Sequence, residues 1–253
     1  MNVIVDQAAE DCIRLVQDLS VLIITYPGKW REEEFNPSEL SVRRIEWFEG
    51  TGTVIGLKRN RVFILTSIHC EPKGYSFFVK GCITNQKQVM ATLSINQYEA
   101  ANNGIDIALL SCDASCFDPI ILQRMIQNLK WDFSSLDSGT LTTQPLRLYL
   151  VHYPTLCEQE QNITRRLYQP VFSDISVGYL LAIDSDCFDS SVEATAGSSG
   201  GLLISEQGVI VGSHDSQHND TIDGTTVWTH RMCVAIRESL SSFRGSSEFF
   251  STH

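Results

Sequence analysis

Three short segments carry side chains able to do acyl-transfer chemistry. Ile64-Leu65-Thr66-Ser67-Ile68-His69-Cys70 is an apolar run that ends in a histidine. An imidazole can take up and return a proton near neutral pH. Asn102-Asn103-Gly104-Ile105-Asp106-Ile107-Ala108-Leu109-Leu110 brings an aspartate into an apolar run directly after a turn signal. Such a carboxylate either accepts backbone N–H bonds in the turn or fixes the tautomer of a histidine. Thr195-Ala196-Gly197-Ser198-Ser199-Gly200-Gly201-Leu202-Leu203-Ile204 sets a serine among glycines just before an apolar run. Taken alone, a Gly/Ser tract is a flexible loop. Placed before a strand, its glycines permit a tight turn and keep side chains away from an approaching carbonyl. The amides of Gly197 and Ser199 can then converge on one oxyanion. A serine hydroxyl needs a positioned base to act as a nucleophile, so His69, Asp106 and Ser199 form the candidate catalytic set.

These segments must be held by the surrounding elements. Ala8, Cys12, Leu15 and Val16 are spaced for one helical face over Val5–Leu19. Beyond it, short apolar runs alternate with turn residues, which predicts strands at Val21–Tyr26, Leu40–Phe48, Gly52–Leu57, Val62–Ser67, Ser76–Val79, Val89–Ile95 and Ile107–Ser111. Lys58-Arg59-Asn60-Arg61 reads as a hairpin turn between two of them. A helix is predicted over Ile120–Trp131, with Ile121, Met125 and Leu129 on one face. A second group of strands follows at Leu146–His152, Leu167–Phe172, Ile175–Ile183, Leu202–Ile204 and Val209–Ser213. The final helix is predicted around His230–Phe243. Many short strands with few helices predict an all-β-dominated barrel or sandwich.

The bulk numbers exclude several classes. Charged residues make up 19% of the 253-residue chain and apolar ones 43%, which suits a globular protein rather than a disordered one. Against 30 acidic residues stand 19 basic ones, a net charge of −11. That balance repels phosphate backbones and anionic lipids, so neither nucleic acid nor a membrane is the expected partner. Asp6, Glu10 and Asp11 occupy the start, where a signal peptide carries cations, so a cytoplasmic protein with reduced thiols is expected. The eight cysteines include no Cys-x-x-Cys pair. His214 and His218 are four apart, but Gly212, Asp215 and Asn219 suggest a loop there, so no metal or other cofactor is expected. Asn162-Ile163-Thr164 and Asn219-Asp220-Thr221 match the glycosylation sequon and stay unmodified in a cytosolic chain.

Taken together, the three segments run His…Asp…Ser, the chain order of the chymotrypsin-type triad. From about Gly50 to Ser213 the sequence resembles the trypsin-like peptidases. Gly50-Thr51-Gly52-Thr53-Val54-Ile55 followed by LTSIHC resembles their strand pair ending in the catalytic histidine. Asp106-Ile107-Ala108-Leu109-Leu110 resembles their aspartate context, and GSSGGLL their nucleophile loop. Leu150-Val151-His152-Tyr153-Pro154 looks like the opening of their second barrel, with His152 in place of a glycine. The resemblance implies a chymotrypsin-like double β-barrel. Residues 1–118 would carry His69 and Asp106, and residues 119–253 Ser199, with the helix over Ile120–Trp131 between the barrels. It implies a serine endopeptidase acting on proteins or peptides, with Gly197 and Ser199 as oxyanion donors. An inactive peptide-binding domain of the same fold and an esterase using the same residues are the alternatives.

The departures point to the intracellular, bacterial or HtrA-type branch. The stretch upstream of Cys70 lacks the cysteine that pairs with it in secreted trypsins, and no activation terminus is visible. Ser198 stands where zymogen-activated members carry an aspartate, and Leu202 where they carry proline. For the substrate pocket the sequence offers two readings. Glu193 lies six residues before Ser199, where basic-specific trypsins keep an aspartate. His214, in Gly212-Ser213-His214, resembles the G-x-H of glutamyl endopeptidases and picornaviral proteases, which read Glu or Gln at P1. Thr195 and Ser213 would line the same pocket.

Overall fold

The structure is a computed structural model that describes residues 7–27, 48–67, 69, 75–81, 89–93, 106–134, 145–155, 172–222 and 225–241. The chain opens with helix α1, Gln7–Leu19, which buries Ala9, Cys12, Ile13, Val16 and Leu19. That set follows the helical repeat but is rotated from the expected face. Ala8 is exposed and Leu15 only partly covered, because α1 packs on β-strands of both halves of the molecule rather than on one flat surface.

Six strands follow: β1 Ser20–Pro27, β2 Phe48–Lys58, β3 Arg61–Thr66, β4 Tyr75–Gly81, β5 Val89–Leu93 and β6 Ala108–Asp113. They close into an antiparallel barrel in the order β1-β2-β3-β6-β5-β4. The expected β2–β3 hairpin forms, with Arg59 at φ 47° and Asn60 at φ 62°. Two consecutive left-handed residues give the turn a twist that matches the flanking strands. The strand expected at Leu40–Phe48 lies outside the described residues except for Phe48, which opens β2.

Helix α2, Pro119–Gln127, comes next. The Asp118 side chain caps it by accepting from the N–H groups of Ile120 and Ile121, and Pro119 at its first position has no N–H to lose. It ends four residues earlier than Trp131, and its buried residue is Leu122 while Ile121 is exposed, so the expected face was misphased. It packs on α1 and β2.

The second set comprises β7 Arg147–His152, β8 Asp174–Ile183, β9 Cys187–Ser190, β10 Leu202–Ser205, β11 Ile210–Ile222 and β12 Thr225–Met232, followed by helix α3, Cys233–Ser241. These strands also close a barrel, in the order β7-β8-β9-β12-β11-β10. The two barrels therefore share one strand order. Strands β9 and β12 have no counterpart in the sequence prediction, and His230–Met232 belong to β12 rather than to the last helix. The strand expected at Val209–Ser213 runs on through residues 214–219, expected as a loop, within β11. Of the strand expected at Leu167–Phe172, only Phe172 is described, and it is exposed outside any strand.

One apolar core runs from the first barrel (Val54, Ile64, Leu110) through α1 to Tyr149, Leu202 and Ile236, joining the two barrels. A separate core of Leu148, Leu150, Leu180, Phe188, Leu203 and Met232 fills the second barrel. Each fully buried Leu or Ile contributes roughly 1.5–3 kcal/mol. Among the described residues no helix is long and apolar enough to cross a membrane.

Candidate active site

Strand register brings two of the candidate residues together. β3 pairs with β6, with Thr66 opposite Ala108. His69 lies three residues beyond Thr66, and Asp106 two residues before Ala108, so both leave the same end of the barrel. The His69 backbone N–H donates to Asp106 Oδ1 at 2.9 Å. The ring Nδ1 pairs with Asp106 Oδ2. Because an ionised carboxylate only accepts, Nδ1 carries the proton and Nε2 is left as an acceptor. Ser199, just before β10 of the other barrel, places its Oγ 2.6 Å from His69 Nε2. The structure thus joins all three residues across the barrel interface.

The nucleophile loop is held carbonyl by carbonyl. Ala196 O accepts from Thr155 N–H at 2.7 Å, and Ser198 O from Gly201 N–H at 2.8 Å. Gly197 O accepts from the Thr51 hydroxyl at 2.7 Å, and Ser199 O from Thr51 N–H at 2.8 Å. In a trans peptide the N–H points opposite to the C=O. Anchoring Ala196 O and Ser198 O therefore turns the Gly197 and Ser199 N–H groups away from those anchors. Among the described residues neither of these two amides meets an acceptor. Gly197 has φ +90° and Gly200 φ +85°, conformations that favour glycine. A Cβ on Gly197 would lie 2.4 Å from Tyr153 O, and one on Gly200 2.1 Å from Thr51 O.

Ser198 is fully buried and turned away from the reacting side. Its Oγ accepts from Thr195 N–H at 2.9 Å and meets His152 Nδ1 at 2.8 Å. His152 Nε2 in turn meets Ser176 Oγ at 3.1 Å. Burial pushes His152 below its ordinary pKa, only partly opposed by Asp174, so the imidazole is neutral. The residue before Ser199 is thus paired with an internal histidine.

His214 is buried on β11 opposite His230 of β12. Gly212 and His214 share a face with Met232 of the second core, as inward orientation requires. Simple alternation would put Ile210 on that face too, but it sits in the other core, where the β10–β11 register shifts between Leu203 and Ile204. Burial lowers the His214 pKa to about 4, with His69 and His152 adding to the effect. It also lowers His230 strongly. Ser190 Oγ accepts from Val192 N–H at 3.1 Å and meets His230 Nε2 at 2.6 Å. His230 Nδ1 meets His214 Nδ1 at 3.2 Å, so between two neutral rings one of these nitrogens donates and the other accepts. Of the other pocket candidates, Ser213 is buried on β11, while Glu193 and Thr195 are exposed on either side of buried Ala194. Asp215, next along β11, is held by Arg231 Nε at 2.8 Å, and Arg231 also reaches Asp186 at 2.6 Å.

Thr51, His152, Ser190 and His230 were not singled out as site residues from the sequence, although the Gly50-Thr51-Gly52 motif and the histidine in the glycine's place marked two of them. Paired six-stranded barrels with the site at their interface define a chymotrypsin-like double β-barrel. The Rv3671c protease from M. tuberculosis, in its active form, shares this fold with a TM-score of 0.56 and 15% identity. The match covers 94% of this chain and 87% of that one. No family model and no curated protein sequence matches the chain.

Proposed function

We propose that the protein is a serine endopeptidase in which Ser199 is the nucleophile, His69 the general base and Asp106 the residue that orients and stabilises the imidazole. The observation that carries this reading is the 2.6 Å contact between Ser199 Oγ and His69 Nε2, with Asp106 on the opposite ring nitrogen. Ser199 Oγ attacks the peptide carbonyl carbon while its proton passes to His69 Nε2. The carbonyl oxygen becomes an oxyanion between the N–H groups of Gly197 and Ser199. Collapse of that intermediate breaks the C–N bond, and His69 returns the proton to the leaving amine. Water, deprotonated by the same histidine, then releases the acid and restores Ser199.

For P1 we favour an amide-bearing side chain. His214 is neutral at pH 7, and with its proton on Nε2 it would offer one N–H to a carbonyl oxygen and no charge to a carboxylate. Buried Ser213 would complete that pocket, with Thr195 and Glu193, both exposed, at its edge. The substrates on this reading are proteins or peptides.

The test is labelling by a fluorophosphonate together with hydrolysis of a P1-varied peptide panel. Wild type should label and cleave, and Ser199→Ala and His69→Ala should do neither while melting as wild type does. Preference should follow Gln over Glu over Arg, and His214→Ala should erase it. Ester hydrolysis without peptide cleavage would favour the esterase, and absence of both would favour a binding domain. Arg preference lost in Glu193→Ala would assign the pocket to Glu193.

A further inference from the structure

We propose that Thr51 is a positioning residue that sets the oxyanion-binding amides through its hydroxyl. The proposal rests on the serine peptidase reading and goes beyond it, because Thr51 lies on β2 of the first barrel and touches no reacting atom. Its contacts form a closed set. The hydroxyl donates to Gly197 O at 2.7 Å and accepts from Tyr153 N–H at 2.8 Å. The Thr51 N–H donates to Ser199 O at 2.8 Å. The Thr51 carbonyl accepts from the Thr66 hydroxyl at 2.8 Å. Thr66 ends β3, the strand that leads to His69. One fully buried residue therefore links the strand of the base to the carbonyls of both oxyanion residues, across 146 positions of sequence.

The hydroxyl matters because of what it holds. Gly197 lies at φ +90° and has no side chain to restrict it, so its backbone orientation comes from hydrogen bonds. Three such bonds surround it: Thr155 N–H on Ala196 O, the Thr51 hydroxyl on Gly197 O, and Ser198 N–H on Thr195 O at 2.9 Å. Removing the hydroxyl leaves the Gly197–Ser198 peptide held by its N–H alone, so that its carbonyl end can swing, and leaves Gly197 O and Tyr153 N–H buried without their partner. Rotation of that peptide misaims the adjacent N–H groups, which matter only when the oxyanion forms. The loss therefore falls on the chemical step rather than on binding.

The experiment compares wild type, Thr51→Val, Thr51→Ala and Thr51→Ser by fluorophosphonate inactivation, read as maximal rate against half-saturating concentration, with melting temperature measured in parallel. Ser20→Ala, which removes a buried hydroxyl bond to Val16 O elsewhere in the first barrel, is the control. Thr51→Val and Thr51→Ala should lose about tenfold to a hundredfold in maximal rate. Their half-saturating concentration should stay within about twofold of wild type. Thr51→Ser should keep most of the rate, and Ser20→Ala should lose stability without losing rate. A folded Thr51→Val or Thr51→Ala with the wild-type maximal rate overturns the proposal, as does a loss confined to half-saturation. Failure of both hydroxyl-free variants to fold assigns Thr51 to stability alone and also overturns it. Wild type that does not label at all refutes the peptidase reading instead.

Discussion

Acidification should unfold this protein through three histidines sealed in the second barrel. His152, His214 and His230 are 2%, 1% and 0% exposed, and burial is the largest cause of the lowered pKa in each. All three are neutral in the fold. In the unfolded chain they take protons below their ordinary value of 6.5. The unfolded state thus binds more protons in that range. The stability is present above 6.5 and is lost as pH falls toward the folded values. For His214 the shift runs from 6.5 to about 4. At about pH 5 that one group removes about 2 kcal/mol, at ~1.36 kcal/mol per pKa unit. Asp215 acts in the opposite direction, since burial raises its folded pKa and the native state gains a proton first, but it does so nearer the carboxylate range. Urea unfolding of Ser199→Ala, which cannot digest itself, should show the midpoint falling steeply between about pH 6.5 and about pH 5. In a His214→Gln background the slope should drop by about one proton. A flat profile over that range, or a slope untouched by His214→Gln, would refute the reasoning.

Gly200→Ala should destabilise the fold by about 3 kcal/mol or more, since it combines a disfavoured backbone angle with collision into buried backbone; the new Cβ would lie 2.1 Å from Thr51 O and 2.7 Å from Thr66 Oγ1. A near-wild-type melting temperature would contradict it. The Ser198–His152 pairing predicts that the chain starting at Met1 reacts with fluorophosphonate without N-terminal cleavage. His152→Asn, whose amide can hydrogen-bond in place of Nδ1, should keep that reactivity and His152→Leu should lose it. Among the described residues Cys12, Cys112, Cys187 and Cys233 are free thiols, and with the other cysteines reduced, as the sequence predicts, dithiothreitol should move the melting temperature by less than about 2 °C. Burial also pushes the Cys12 thiol up to about 11, so iodoacetamide should leave it unmodified in the folded protein.

The catalytic candidates were legible because each sits where an apolar strand meets a turn, and strand ends announce themselves locally. Their supports did not, because those are contacts between distant parts of the chain. Thr51 meets Gly197 across 146 positions and His152 meets Ser198 across 46. No local pattern encodes such distances. Helix existence was readable from periodicity, but the buried face of α1 and α2 depends on what the helix lies against. Strand β12, Thr-Thr-Val-Trp-Thr-His-Arg-Met, was hidden because the helical spacing of Cys233, Ile236 and Leu240 was extended backwards over His230. The β10–β11 register shift is likewise invisible to alternation. It places Ile210 outside the barrel while Gly212 and His214 face in.

The acid lability and the proposed P1 preference have one physical origin. A histidine exposed to water would be charged for part of the physiological range and could pair a carboxylate. Sealing His214 beside His230, with Ser190 at the far ring nitrogen, removes that charge and leaves each ring a single N–H. The same desolvation that makes the imidazole a neutral donor makes the fold intolerant of its protonation. A second proton entering the pair would set two N–H donors against each other at 3.2 Å. On the proposed pocket reading, refusing charge at one buried point would disfavour both a carboxylate at P1 and a low-pH environment. Selectivity and pH range should change together when that point is altered.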